Sequence, residues 1–109
     1  MSDVRLVLCT FPDVEKAREI GTKLVEERLA ACVNLVPGVE SIYRWQGQVE
    51  SSAEVLGIFK TTADGWTDFE ARLRELHPYE VPEIIAVAPE KVTAAYAMWV
   101  GEEVGAQGG

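Results

Sequence analysis

Histidine and cysteine are scarce in this 109-residue chain: His77 is the one imidazole, and Cys9 and Cys32 are the two thiols. A single histidine excludes the paired-histidine motifs of zinc hydrolases, and the wide separation of the cysteines excludes a C-x-x-C redox or zinc-ribbon pair. In a chain of cytosolic type the two cysteines read as reduced, buried thiols, and one intramolecular bridge is the alternative that their spacing leaves open. No apolar run approaches the ~18 residues of a membrane helix, so no membrane span is expected. Phosphate-cradling glycine loops, a dinucleotide fingerprint and a nucleophile elbow are all missing, which argues against an enzyme and an organic cofactor. A Cys9–His77 dyad is the one nucleophilic pair conceivable, and nothing in the sequence orients such a histidine. Positive charge is short as well: 10 basic residues face 18 acidic ones, for a net charge of −8. The basic residues do not cluster, so a phosphate backbone would be repelled and nucleic acid is excluded as a partner. The same field keeps the chain soluble and draws cations weakly.

Apolar side chains are plentiful. At 48 % of the residues they suffice for one core without metal or disulfide staples. A single domain over residues 1–104 is expected, with residues 105–109 as a flexible tail. Met1 to Arg5 leads straight into a strand pattern without a signal peptide, so a cytoplasmic location is expected.

The first strand spans Val4 to Thr10. Phe11-Pro12-Asp13 breaks it and offers Asp13 as an N-cap for a helix whose Val14, Ala17, Ile20, Leu24, Val25 and Leu29 recur at helical spacing. Gly21 inside that helix marks a close approach to the sheet. A second strand runs from Ala30 to Trp45 with a bulge or bend at Pro37-Gly38, because proline removes a ladder donor. Gln46-Gly47 is a tight turn, and the chain returns from Gln48 to Thr61. Thr62 or Asp64 then caps a helix with Trp66, Phe69, Leu73 and Leu76 on one stripe, which must stop by His77 because Pro78 follows. Ile84 to Ala88 is a continuous apolar run of the kind found in a buried central strand. A last helix covers Val92 to Val104, with Tyr96, Trp99 and Val100 on one side. The order is an α+β, ferredoxin-like split βαβ arrangement (βαββαβ) plus a C-terminal helix, with both main helices on one face of an antiparallel sheet.

The second and third strands form an overlong hairpin. Each arm is more than twice the ~6 residues of a usual strand, and a domain of this size cannot cover such a ribbon with its own helices. Ile42, Tyr43 and Trp45 near its tip would expose apolar edge strands unless another subunit covers them, so assembly into a homo-oligomer is expected.

Five blocks in order carry a resemblance: Cys9-Thr10-Phe11-Pro12-Asp13, Glu26 to Asn34, Ser41 to Gly47 with Lys60-Thr61, His77-Pro78-Tyr79-Glu80-Val81-Pro82-Glu83, and Tyr96 with Trp99. Together the chain resembles the CutA family of divalent-cation tolerance proteins from about residue 4 to residue 103. The resemblance implies a compact homotrimer built through the long hairpins, an architecture similar to the PII signalling proteins, and a role in tolerance of divalent cations, copper in particular.

Cys9, Cys32 and His77 are the whole soft-ligand inventory, and thiolate with imidazole suits copper. The resemblance implies Cys9 and His77 as the metal-binding pair, with Cys32 the lesser candidate and Cu(II), Cu(I) or another divalent cation as ligand. Some family members carry a second histidine beside His77. Leu76 stands there in this chain, so one ligand is lost and binding is expected to be weak and reversible. The alternative reading gives Cys9 and Cys32 as small core hydrophobes and His77 as a hydrogen-bonding residue at a helix end. Trp45, Lys60, Tyr79 and Glu83 form a second constellation. It is expected to converge in a cleft between subunits, where a PII-like sensor or scaffold would bind a small molecule.

Overall fold

The computed structural model describes residues 3–105. Its elements are β1 (Val4–Phe11), α1 (Val14–Glu26), β2 (Cys32–Trp45), β3 (Gln48–Thr62), α2 (Trp66–Leu76), β4 (Ile85–Val87) and α3 (Ala94–Glu103). The strands form one antiparallel sheet in the order β2-β3-β1-β4, so β1 and β3 are central. This is the ferredoxin-like split βαβ expected from the sequence, with α3 added.

Local chemistry sets most of the boundaries. Asp13 is extended, and its carboxylate accepts the Lys16 N–H at 2.7 Å, which satisfies one orphan donor of α1. Ala17, Ile20, Gly21 and Leu24 form the buried stripe of that helix. A Cβ on Gly21 would lie 3.0 Å from Val33 Cγ1, so the helix sits on β2 at a distance only glycine allows without displacement. Helix α1 ends at Glu26, short of Leu29, which nonetheless packs against the core. Arg28 turns the chain with φ 60°, its carbonyl accepts the Gly105 N–H at 2.9 Å, and its Nη2 donates to the Glu102 carbonyl at 3.1 Å. The ends of α1 and α3 are thereby tied together.

Helix α2 begins differently from the expectation. Gly65 holds the N-cap position, while Thr62 Oγ1 accepts the Gly65 N–H at 3.0 Å and closes the preceding turn. Neither Thr62 nor Asp64 is the cap, because the turn after β3 takes one more residue. The helix stops at Leu76 as Pro78 requires, with His77 extended (φ −73°, ψ 136°).

One layer of core lies between the sheet and the helix pair. Val7, Cys9, Phe11, Val55 and Phe59 meet Ala17, Ile20 and Leu24 of α1 and Phe69 and Leu73 of α2. Phe59 and Phe69 contact edge to face, with ring centroids 5.3 Å apart. The opposite face of the sheet is covered only at one end, where Val100 of α3 and Val104 just beyond it close over Val4 and Ala31. Beyond α3 that face lies open and apolar.

The apolar run at Ile84 to Ala88 is not a central strand. β4 is three residues long, pairs only with β1 and forms an edge, and Ile85 and Val87 are 50 % and 42 % exposed. The hairpin matches its expectation more closely. Gln46 and Gly47 have φ 51° and 80°, the mirror-image turn that suits twisted strands, and the register shifts between Val36 and Val39 as a bulge at Pro37-Gly38 requires. Ile42 is 71 % exposed, and Tyr43 and Trp45 are exposed beside it. Gly105 is anchored to Arg28, and the rest of the expected tail, residues 106–109, lies outside the described residues.

Candidate functional site

Cys9, two residues before the end of β1, points into the core and is fully buried. His77 arrives from the other side, placed where Pro78 forces α2 to end, and is 7 % exposed. The two meet at one atom. The Thr10 carbonyl oxygen accepts from His77 Nε2 at 2.8 Å and lies 3.8 Å from Cys9 Sγ, which donates weakly to it. Residues far apart in sequence thus converge because β1 ends against the C-terminus of α2.

The remaining lone pair of His77 is also engaged, since Nδ1 accepts the Tyr79 N–H at 3.1 Å. That pair of bonds defines the neutral tautomer with its proton on Nε2. The ring stacks on Phe11 (centroids 5.1 Å, 22°) and touches Tyr79 (4.8 Å, 56°). Burial pushes the His77 pKa below its ordinary value, partly offset by the Thr10 hydrogen bond and the Glu54 carboxylate. The Cys9 thiol is pushed up to about 12, first by burial and then by the carboxylates of Glu83 and Glu54. At neutral pH the site therefore holds a neutral imidazole and a protonated thiol.

Tyr79 closes the site on its outer side. Its hydroxyl donates to Glu54 Oε2 at 2.6 Å, a short charge-assisted bond. Burial and that bond hold the phenol well above its usual range. Glu54 is free to receive it because β1 ends opposite Val55, which leaves the next β3 residue without a neighbour on that side. Sequence reasoning missed Glu54. The signal was a carboxylate standing at the edge of the apolar stretch Val55 to Phe59.

The second constellation does not gather within one chain. Tyr79 lies at the Cys9 end of the sheet, where Glu83 also acts on the thiol. Lys60 lies six residues further along β3 from Glu54, opposite Cys32 and Leu6, and its Nζ donates to Asn34 Oδ1. Trp45 is at the hairpin tip, opposite Gln48. Cys32 is half-buried, with Sγ 3.4 Å from the Tyr96 hydroxyl, and that contact raises the phenol to about 12. Cys32 is therefore remote from Cys9 and His77.

The donors present fit a two-ligand soft site and no more. Cys9 and His77 are adjacent and His77 is neutral, as a metal ligand must be, yet both are turned onto the Thr10 carbonyl. Among the described residues, no three of His, Cys, Asp and Glu are grouped as a closed chelate needs. No helix among them is long and apolar enough to cross a membrane.

A small α+β fold with this pair at the end of β1 and an overhanging hairpin defines a class, and its relatives name it. Residues 5–103 match the family model described as CutA1 divalent ion tolerance protein, so the chain belongs to that family. The divalent-cation tolerance protein CutA of Thermus thermophilus is 49 % identical over 92 % of this chain and 97 % of its own length. The solved structure from that organism, at 48 % identity, superposes with a TM-score of 0.91, covering 94 % of this chain and 99 % of that one. The human protein CutA is 44 % identical over 89 % of this chain, which spans 54 % of the human protein. The structure described as the periplasmic divalent cation tolerance protein CutA of Archaeoglobus fulgidus is 30 % identical, with a TM-score of 0.88 over 92 % of this chain and 97 % of that one.

Proposed function

We propose that this member of the divalent-cation tolerance family acts without catalysis, as a cytoplasmic homotrimer that binds copper weakly and reversibly through Cys9 and His77. The observation that carries the reading is the convergence of the only buried thiol and the only imidazole on the Thr10 carbonyl. Copper suits thiolate plus imidazole, and two protein ligands leave coordination positions open, so exchange is fast and the site is not needed for folding. Occupancy costs the Cys9 proton, which leaves for solvent, and both His77 hydrogen bonds, because Nε2 can bind only once the ring proton has passed to Nδ1, which then no longer accepts the Tyr79 N–H. Both costs keep affinity modest and make it fall with falling pH.

The open apolar face of the sheet, the exposed tip aromatics and the unpaired edge of β4 support the assembly. In a trimer, Trp45 and Lys60 of one subunit would approach Tyr79 and Glu83 of another, which forms the cleft that no single chain makes.

The test is calorimetric titration with Cu(II), and with Cu(I) under reducing conditions, at pH 7.5 and 5.5. Cys9→Ser and His77→Ala should each weaken binding, and the double variant should abolish it. Copper affinity unchanged in the double variant overturns the site, and a small organic ligand held between subunits then becomes the better reading.

A further inference from the structure

We infer that Tyr79 is a lid over the Cys9–His77 pair and that Glu54 is its latch. The inference takes its ligand, a soft cation, from the reading above, whereas its mechanics rest on the geometry alone.

Cys9 is fully buried and His77 nearly so, while Tyr79 is half-buried and packs against the imidazole; the phenol is the outer layer of the stack. No cation reaches either donor until that layer moves. The layer is fastened at two points: the Tyr79 N–H on His77 Nδ1 at 3.1 Å, and the Tyr79 hydroxyl on Glu54 Oε2 at 2.6 Å. The first bond holds the imidazole in the tautomer whose Nε2 carries the proton, which keeps the nitrogen on the Cys9 side from acting as a ligand. The second anchors the ring to β3, the rigid central strand. Tyr79 itself belongs to a stretch without regular secondary structure, from His77 to Ile84, that contains Pro78 and Pro82. Such a segment shifts without breaking a sheet ladder or a helix. Glu54 is suited to release as well as to hold. A carboxylate at the entrance is the first oxygen ligand an arriving divalent cation meets, and a cation there competes with the phenol hydroxyl for the same lone pairs.

The test measures lid opening without metal first. In a Cys32→Ser background only Cys9 reacts, and its alkylation by iodoacetamide is followed by mass spectrometry at low urea. Urea-independent rates report local opening rather than unfolding. Tyr79→Phe removes the latch bond and leaves the Glu54 charge in place, so a faster rate reports exposure rather than altered thiol acidity. Alkylation should accelerate about tenfold or more, as loss of a hydrogen bond to a charged group implies. A Tyr79→Phe rate within about twofold of the parent, far less than loss of such a bond requires, overturns the lid. Transfer of Cu(I) from a chromophoric chelator forms the second arm, and uptake should quicken by the same factor in Tyr79→Phe. If alkylation quickens but copper uptake is indifferent to Cys9→Ser, the lid stands and the metal reading falls. If copper requires Cys9 but alkylation is unmoved by Tyr79→Phe, the lid falls and the metal reading stands.

Discussion

Gly57 lies where the core leaves no room for a Cβ, and substituting it tests how rigidly the core holds the site. It lies on β3 opposite Cys9 and Leu35. A Cβ added there would sit 2.9 Å from Phe11 Cε2 and 3.2 Å from Phe59 Cε1, and 3.5 Å from the Cys9 carbonyl oxygen. Neither ring can swing aside, because both phenylalanines are fully buried. Phe11 is backed by His77, and Phe59 by Phe69. Gly→Ala at an unstrained position gains about 0.4–1 kcal/mol through the unfolded chain. Forcing one methyl into a packed core costs about 1–3 kcal/mol. The second effect should win, for a net loss of about 1–2 kcal/mol per subunit, a factor of about 5–30 in the folding equilibrium. Urea unfolding at a fixed protein concentration is the assay, with an unchanged slope and a lower midpoint as the expected result. Because the strain runs through one ring, Phe11→Leu in the same chain should remove most of the Gly57→Ala penalty, a positive coupling between neighbours. A Gly57→Ala protein as stable as its parent would refute the reasoning, since the core would then be soft where it is drawn as rigid.

The other predictions concern the site, the assembly and a helix cap. His77 has a folded pKa below its unfolded value of ~6.5, so unfolded chains take up the proton more readily. Its contribution to stability is complete above that pH and is lost as pH falls through the folded value. Between pH 7.5 and 5.5 the parent should therefore lose stability that a non-titrating His77→Gln chain does not lose. Light scattering at micromolar concentration should give three times the 12.0 kDa chain, and a stable monomer would count against assembly. The melting temperature should rise with protein concentration, and Trp45→Ala should weaken the trimer by about 2 kcal/mol as a central interface aromatic does. Asp13→Ala should cost about 1 kcal/mol through loss of the Lys16 N–H bond, measured as a shift in urea midpoint.

Features written into local covalent chemistry were legible before any coordinates. Asp13 announces a helix start, Pro78 a helix stop, Gln46-Gly47 a turn and Pro37-Gly38 a bulge, because each restricts φ, ψ or a donor within a few residues. The misread strand shows the limit. The run Ile84 to Ala88 states that these side chains avoid water, but not whose surface covers them. Within one chain it is a short edge strand whose Ile85 and Val87 stay half exposed. Residue type offers Cys9, Cys32 and His77, and the family resemblance narrows them to Cys9 and His77, whereas the meeting of that pair at the Thr10 carbonyl depends on the packing of α2 against the end of β1. Glu54 is hard to read for the same reason. Its partner, Tyr79, is twenty-five positions away, and a place at the edge of an apolar stretch does not by itself tell a hydrogen-bonded carboxylate from a solvated one.

The bulge at Pro37-Gly38 acts as a shift in reading frame. Between Val36 and Val39 the chain of β2 advances three residues while β3 advances two, from Leu56 to Glu54. Side chains alternate along a strand, so the even-numbered residues of β2 share a face with Leu56, Ile58 and Lys60 before the bulge, and the odd-numbered ones share it afterwards. Tyr43 and Trp45 thereby stand on the side of the ribbon that continues the open apolar face of the sheet, opposite the helices. Deleting Gly38 alone would restore an unbroken ladder and turn both aromatics to the other side. The chain would keep every residue of the interface proposed above and present it in the wrong direction.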